Sequence, residues 1–459
     1  MPQRPVRRVL LLNPPGARRY LRDVYCSHSS KGTYLYHPMD LLAQAAMLAP
    51  RFELAAVDAI ADQLTVAEAR DRVLGFRPDA IVFLSGAVSH REDLAFLGGI
   101  KKELPELVLI GMGDVFLWEA QRFLGEHPWI DGALPDFVSP ALGPALESGE
   151  ARGVIGVDPF ARGARKTFAY GAPPYDLFPM ERYRLPFGRP EPFGSVLTSF
   201  GCPFHCTYCN TAEMPYRLRD LDGVFDELAY LRARGIRKVY VRDPTFALNP
   251  RYTRDFLDRL IGERWDIAWN CFLRADRVTR EQLARMREAG CYLVMFGIET
   301  ASDELNQRSR KDIKQSEIRA GVAAAKDAGL KVLGTFVIGM PGETRASAEE
   351  TIRLATELDL DYASFNVATP RLGSQLRDQL GIGSVLEVGA VGMDGSNQVP
   401  AIDSAELSPR EVWSLRNRAV WSFYGRPRYL ATRAQEAIRD GGLWTGARNA
   451  LSLFGSALG

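Results

Sequence analysis

Short apolar runs alternate with helix-period stretches along most of the chain. The first run, Val9-Leu-Leu-Leu-Asn-Pro-Pro15, is apolar at successive positions and is closed by an Asn-Pro-Pro loop, which predicts a strand buried on both faces. Helix-period sequence over 39–48 leads to a strand-like 52–58, a helix over 65–74 to a strand over 80–85, and a helix near 94–104 to a strand over 107–111. Strands and helices in strict alternation predict a doubly wound, Rossmann-like parallel sheet. Its ligand would lie outside the carboxyl ends of the strands, where loops begin at Asn13, Asp58, Ser85 and Gly111.

The alternation stops at about 150. Gly, Ala and Arg dominate 151–171, and Ala172-Pro-Pro-Tyr-Asp-Leu-Phe-Pro179 follows, so 151–190 reads as an extended linker. A second alternation then predicts strands over 195–200, 238–242, 267–273, 292–297, 331–338 and 362–366, with helices between them. These β/α units make a partial, TIM-type (β/α)6 barrel over 191–380, in which chemistry belongs at the carboxyl ends of the strands. Asp243, Arg274, Gly297, Glu299 and Gly339 fall there. For Arg274, binding a ligand carboxylate and pairing with Asp276 or Glu281 are both open. Beyond Gly381-Ile-Gly383 the stretch 384–403 has no clear period. Ser408-Pro-Arg-Glu411 then combines an N-cap, a Pro at the first helical position and a capping-box carboxylate. With further helical stretches over 429–438 and 444–454, residues 381–459 form a C-terminal helical segment, and 1–150 form the first domain.

Composition adds mainly exclusions. A length of 459 residues exceeds one ordinary core. The 57 basic and 56 acidic residues leave a net charge of +1, which gives no general reason to expect nucleic acid or a membrane surface as partner. The apolar run before Asn13 is too short for a signal peptide or a membrane span. Six cysteines, three of them in one short loop, do not make a disulfide framework and point to a reducing, cytoplasmic setting.

That loop, Cys202-Pro-Phe-His-Cys-Thr-Tyr-Cys209, carries the chemistry. Soft thiolates select iron-sulfur clusters or zinc. A structural zinc would need a fourth ligand at matching spacing; Cys26, Cys271 and Cys291 are isolated, and His205 is adjacent to Cys206. Three thiolates can instead hold three irons of a [4Fe-4S] cube and leave the fourth open. The C-x3-C-x2-C spacing, with Tyr208 before the last Cys, resembles the signature of the radical S-adenosylmethionine (SAM) superfamily. The resemblance implies that Cys202, Cys206 and Cys209 are the metal ligands. SAM would chelate the open iron through its amino and carboxylate groups and be cleaved to a 5′-deoxyadenosyl radical. Gly297-Ile-Glu299 resembles the family's G-I-E motif, which makes Glu299 a SAM ligand. Val337-Ile-Gly-Met-Pro-Gly342 ends the fifth strand, and its glycines would let backbone lie against the adenine.

The first domain resembles the cobalamin-binding domain that precedes many radical SAM barrels, and by that resemblance Ser85, Gly111 and Gly113 would line the corrin's nucleotide tail. The D-x-H-x-x-G motif that ligates cobalt is absent, and His28, His37 and His90 read as surface or hydrogen-bonded loop residues. The implied function is hydrogen abstraction followed by methyl transfer from methylcobalamin to carbon. Cyclisation, coupling or oxidation without methyl transfer is the alternative, and a non-catalytic metal-binding scaffold the remote one. A small-molecule substrate (a lipid, a tetrapyrrole or a natural-product intermediate) and an external electron donor such as flavodoxin or ferredoxin complete the expectation. No residue is assigned a catalytic acid or base role.

Overall fold

The computed structural model describes residues 6–23, 27–30, 32, 34–161, 166–186, 191–388, 402 and 406–439. The predicted stretch 444–454 and most of 384–403 lie outside these residues. In the first domain, strands β1 (Arg8–Asn13), β2 (Glu53–Asp58), β3 (Ala80–Leu84), β4 (Val108–Met112), β5 (Gly132–Ala133) and β6 (Gly153–Val154) form one parallel sheet in the order β2-β1-β3-β4-β5-β6. Helices α1 (Met39–Leu48), α2 (Val66–Phe76), α3 (His90–Glu103) and α4 (Asp114–Glu126) connect them. The uninterrupted apolar run of β1 has a direct cause. Val9 and Leu11 belong to one apolar cluster and Leu10 and Leu12 to another, so both faces are covered. The order reverses between β1 and β3, the switch point where such sheets open a crevice.

The second sheet runs β7 (Phe193–Val196), β8 (Lys238–Val241), β9 (Ala268–Leu273), β10 (Cys291–Glu299), β11 (Lys331–Ile338) and β12 (Tyr362–Val367), all parallel and in chain order. It is a partial barrel, with β7 and β12 as its edges. Helices α5 (Leu221–Ala233), α6 (Pro250–Gly262), α7 (Arg280–Glu288), α8 (Gln315–Asp327) and α9 (Arg345–Glu357) cover the outside. Several are capped as the sequence suggests, α6 by Asn249 before a Pro and α7 by Thr279. The run predicted as a single strand over 195–200 is broken, because Thr198 and Ser199 turn to meet Asp243.

The proline-rich stretch between the sheets does more than connect. Tyr175 and Tyr183 are fully buried. The Tyr175 hydroxyl lies 2.7 Å from Ser195 O in β7 and 2.6 Å from Glu227 in α5, and the Tyr183 hydroxyl donates to Asp58 at the end of β2 (2.8 Å). One apolar core consequently runs through both sheets. The two sheets also meet with their carboxyl ends facing. Asp23, in the loop after β1, pairs with Arg242 just past β8 at 2.5 Å. Gly373, past β12, packs so closely on Trp118 of α4 that a Cβ there would fall 2.0 Å from the indole. Helices α10 (Pro409–Tyr424) and α11 (Pro427–Arg439) close the barrel edge, the Tyr424 hydroxyl donating to Ala363 O of β12 (2.6 Å).

Candidate cluster and cofactor site

The cysteine loop leaves the barrel mouth directly after the first strand. Gly201 turns it with φ +78°, and a Cβ there would lie 2.2 Å from Pro215 O, so only glycine fits. Inside the loop Cys209 N donates to Cys206 O (3.0 Å), and Thr207 ties the loop to the connections that follow β10 and β12. Thr207 N donates to Ser309 O (2.9 Å) and Thr207 O accepts from Leu376 N (2.8 Å). Burial, reinforced by the neighbouring Cys206, raises the Cys202 thiol and pushes Cys209 up to about 12. Thiols held protonated this way ionise when a cationic cluster binds them, which fits the donor chemistry of an iron-sulfur site. Among the described residues no three His, Cys, Asp or Glu groups gather to hold a single ion.

Residues named from the sequence take different places around this loop. Asp243 is buried beneath it, accepting from Thr198 N (2.7 Å), Thr198 Oγ1 (2.5 Å) and Ser199 Oγ (2.6 Å). Burial raises its carboxyl to about 6. It anchors the chain just upstream of the cluster loop. Arg274 meets Asp276 through two nitrogens at 3.0 and 3.1 Å, donates to Lys311 O (2.7 Å) and lies 3.9 Å over the Phe204 ring of the cysteine loop. Glu299 ends β10 at a register shift, with φ +66°, and pairs with Lys311 at 2.7 Å. The pair lies over the bare backbone of Gly297, where a Cβ would fall 2.5 Å from Glu299 Oε1 and 2.7 Å from Lys311 Nζ. The Tyr208 hydroxyl is 3.5 Å from the same Nζ.

Gly339 ends β11 with φ +88°, and the side chain it would carry meets Val412 of α10 at 2.7 Å. Its N–H donates to Glu343, a fully buried carboxyl that burial raises to about 7. The loop so held, Met340-Pro341-Gly342, borders a cavity of about 360 Å³ together with Thr207, Tyr208 and Leu305.

At the carboxyl edge of the first sheet, Ser85 and Gly113 touch, a Cβ on Gly113 (φ +104°) falling 2.3 Å from Ser85 O, while Gly111 leaves room for the Phe116 ring. The loop after β1 folds back over this edge. Arg22 reaches Asp93 (2.6 Å), Asn13 (2.8 Å) and Ser89 (2.9 Å), Ser85 donates to Asp93 (3.0 Å), and Ser27 donates to Asp114 (2.6 Å). These donors are engaged within the fold, the Arg22–Asp93 pair being fully buried. His37 Nδ1 is paired with Ser195 (3.0 Å) and His90 Nδ1 donates to Ala87 O (3.1 Å), so each is engaged within the fold.

Lys311, Arg22 and Glu343 are not singled out by the sequence. Lys311 stands in a polar loop, Ser309-Arg-Lys-Asp312, with nothing around it to distinguish it from a solvated lysine. A carboxylate twelve positions earlier, after Val-Met-Phe-Gly-Ile, is the one signal that a buried partner was needed.

Residues 196–355 match the family model described as the Radical SAM superfamily. An uncharacterized methyltransferase of Pyrococcus horikoshii is 30% identical over 412 residues, covering 86% of this chain and 89% of that protein. Two solved structures share the fold. The radical S-adenosylmethionine methyltransferase TsrM of Kitasatospora setae, with cobalamin and a [4Fe-4S] cluster bound, superposes with a TM-score of 0.59 at 17% identity, over 81% of this chain and 74% of that one. The cobalamin-dependent S-adenosylmethionine radical enzyme OxsB, with aqua-cobalamin and S-adenosylmethionine bound, gives 0.64 at 12% identity, over 98% and 72%.

Proposed function

The chain belongs to the radical SAM superfamily, and on that premise we propose that its first domain is of the cobalamin-binding type and that it is a cobalamin-dependent methyltransferase acting on carbon of a small molecule. The observation that carries the proposal is the face-to-face placement of the two carboxyl edges, joined by Asp23–Arg242 and by Gly373 against Trp118. A cluster on one edge and a corrin on the other would share one chamber.

When bound, the [4Fe-4S] cluster and SAM supply a 5′-deoxyadenosyl radical, and methylcobalamin supplies the methyl group. The protein's part is to hold and shield. Cys202, Cys206 and Cys209 would hold the cluster, with Asp243 and Gly201 fixing the path of their loop. Glu299 would hold the amino-acid end of SAM, and Tyr208 with Met340-Pro341-Gly342 would border its adenosine. Ser85, Gly111 and Gly113, at the carboxyl edge of the first sheet, would line the corrin's tail. The packed joint between the edges keeps water from a reactive carbon centre, and closeness replaces a diffusional encounter. No side chain is required to carry a proton in this scheme.

Among the described residues no helix is long and apolar enough to cross a membrane. We place the protein in the cytoplasm, where a flavodoxin or ferredoxin class of donor supplies the electron, and its substrate among lipids, tetrapyrroles and natural-product intermediates. Anaerobic purification with iron and cobalamin supplied, followed by metal analysis and an absorption spectrum, tests the reading. About four irons per chain with one corrin supports it. Iron without corrin overturns methyl transfer from cobalamin and leaves cyclisation, coupling or oxidation; zinc without iron overturns both.

A further inference from the structure

Strands β11 and β12 each show two faces of different burial. Val332, Phe336 and Ile338 of β11, with Ala363 and Phe365 of β12, are buried beneath the outer helices. The alternate positions Thr335, Val337, Ser364 and Asn366 are only half-buried, although they face the inside of the barrel. Cross-strand pairing sets Thr335 level with Ser364 and with the half-buried Gly297 of β10, and Val337 level with Asn366. One step lower on the same face, Met295 and Leu333 are buried. Below them Tyr240, Asn270 and Leu293, covered by Tyr36, leave a cavity of about 10 Å³, room for one water. The upper half of the barrel is thus a blind chamber, closed below and open towards the carboxyl edge.

The wall of this chamber has a definite chemistry. Thr335 and Ser364 bring hydroxyls and Asn366 an amide, while Val337 and the half-buried Phe272 of β9 bring apolar surface. None of these side chains is charged. The charged side chains near the mouth are matched within the fold: Glu299 with Lys311 (2.7 Å), Arg242 with Asp23 (2.5 Å) and Arg274 with Asp276 (3.0 Å). Asn366 is oriented by donating to Phe336 O at 3.2 Å, whereas Thr335 Oγ1 approaches Phe296 O only at 3.5 Å, too far for a strong hydroxyl bond. A hydrocarbon chain laid on this wall would shut both hydroxyls off from water with no bond in exchange. A carboxylate would leave water to meet neutral groups alone.

We infer that Thr335 and Ser364 bind the substrate, and that the part of the substrate entering the barrel is an uncharged hydrogen-bonding group, a hydroxyl or an amide, on a small apolar frame. This rests on the proposed function and narrows its substrate. An alkyl chain and a carboxylate-bearing tetrapyrrole both mismatch the wall, which leaves an oxygenated or amide-bearing natural-product intermediate. A site built to hydrogen-bond a substrate discriminates strongly against an analogue lacking the group, because its own polar side chains are then left unpaired.

The test uses the full chain with its cluster reconstituted and SAM present, and three fragments of one shape: benzamide, benzoate and α-methylstyrene, which end in an amide, a carboxylate and a hydrocarbon. Ligand-observed NMR titration gives the affinity of each. Wild type should bind benzamide about 10-fold more tightly than either of the others, the worth of one or two neutral hydrogen bonds. Thr335→Val and Ser364→Ala should each weaken benzamide by about 3- to 10-fold and leave α-methylstyrene unchanged. Thr335→Ser, which keeps the hydroxyl, should bind benzamide as wild type does. Benzoate or α-methylstyrene bound best, an equal loss for all three fragments in the variants, or no binding of any fragment overturns the assignment. Iron and corrin measured on the same samples decide the proposed function separately: their absence overturns that reading, while the order of the fragments still decides the chemistry of the wall.

Discussion

Glutamine at position 343 should change how stability depends on pH. The Glu343 carboxyl is fully buried, one oxygen accepts from Gly339 N–H, and the other has no hydrogen-bond partner among the described residues. Burial raises it from 4.5 to about 7. A carboxyl raised in the folded state binds its proton more tightly there than when unfolded. The contribution is therefore full below about 4.5 and is lost as pH rises towards 7. With those two values, the wild type loses about 2.5 kcal/mol between pH 5 and pH 8 from this group. Glu343→Gln cannot ionise. Its amide nitrogen takes the place of the unpartnered oxygen and leaves a donor unsatisfied, a cost that does not vary with pH. Urea unfolding of the cluster-free protein at both pH values gives the variant's stability relative to wild type, and that difference should move in the variant's favour by about 2.5 kcal/mol on going from pH 5 to pH 8. Parallel pH profiles for the two proteins would refute the reasoning, because they would mean that the carboxyl titrates alike folded and unfolded.

Gly201→Ala should prevent normal cluster assembly, since it combines a left-handed backbone with a Cβ 2.2 Å from Pro215 O; iron per chain after reconstitution should fall by more than half, and wild-type iron content would show that the loop can be rebuilt. Arg242→Met breaks the largely buried ion pair with Asp23 at the joint between the two edges, a cost of about 3–5 kcal/mol; corrin retained after gel filtration should drop while iron stays, and equal loss of both would instead mark general unfolding. Cys206→Ala should abolish the cluster's visible absorption while the far-ultraviolet circular dichroism of the protein remains, because β7 to β12 close around apolar residues and not around the metal.

Much of the architecture was legible because each domain repeats one rule. A strand covered on both faces must be apolar at successive positions, and its connecting helix must be apolar on one side. Helix α1 and strand β11 fall where the periodicity places them, at Met39–Leu48 and Lys331–Ile338. The cysteine motif was legible for a similar reason, since all of its ligands lie within one loop. The linker was not. Pro and Gly spacing shows that the chain cannot form a helix there, and says nothing about Tyr175 and Tyr183 inserting into a shared core.

What the sequence determined by itself is therefore local: the order of strands and helices, the capped start of α10 at Ser408, and three thiols beside one another on one turn. Tertiary structure decided everything that depends on which strand ends face which. It brought Lys311 to Glu299, paired Arg274 with Asp276, put Asp243 under the cysteine loop, and set Asp23 against Arg242. Period and spacing describe how a residue sits on its own element. The charge it meets is set by a second element whose position depends on the whole packed core, and only the fold brings the two together.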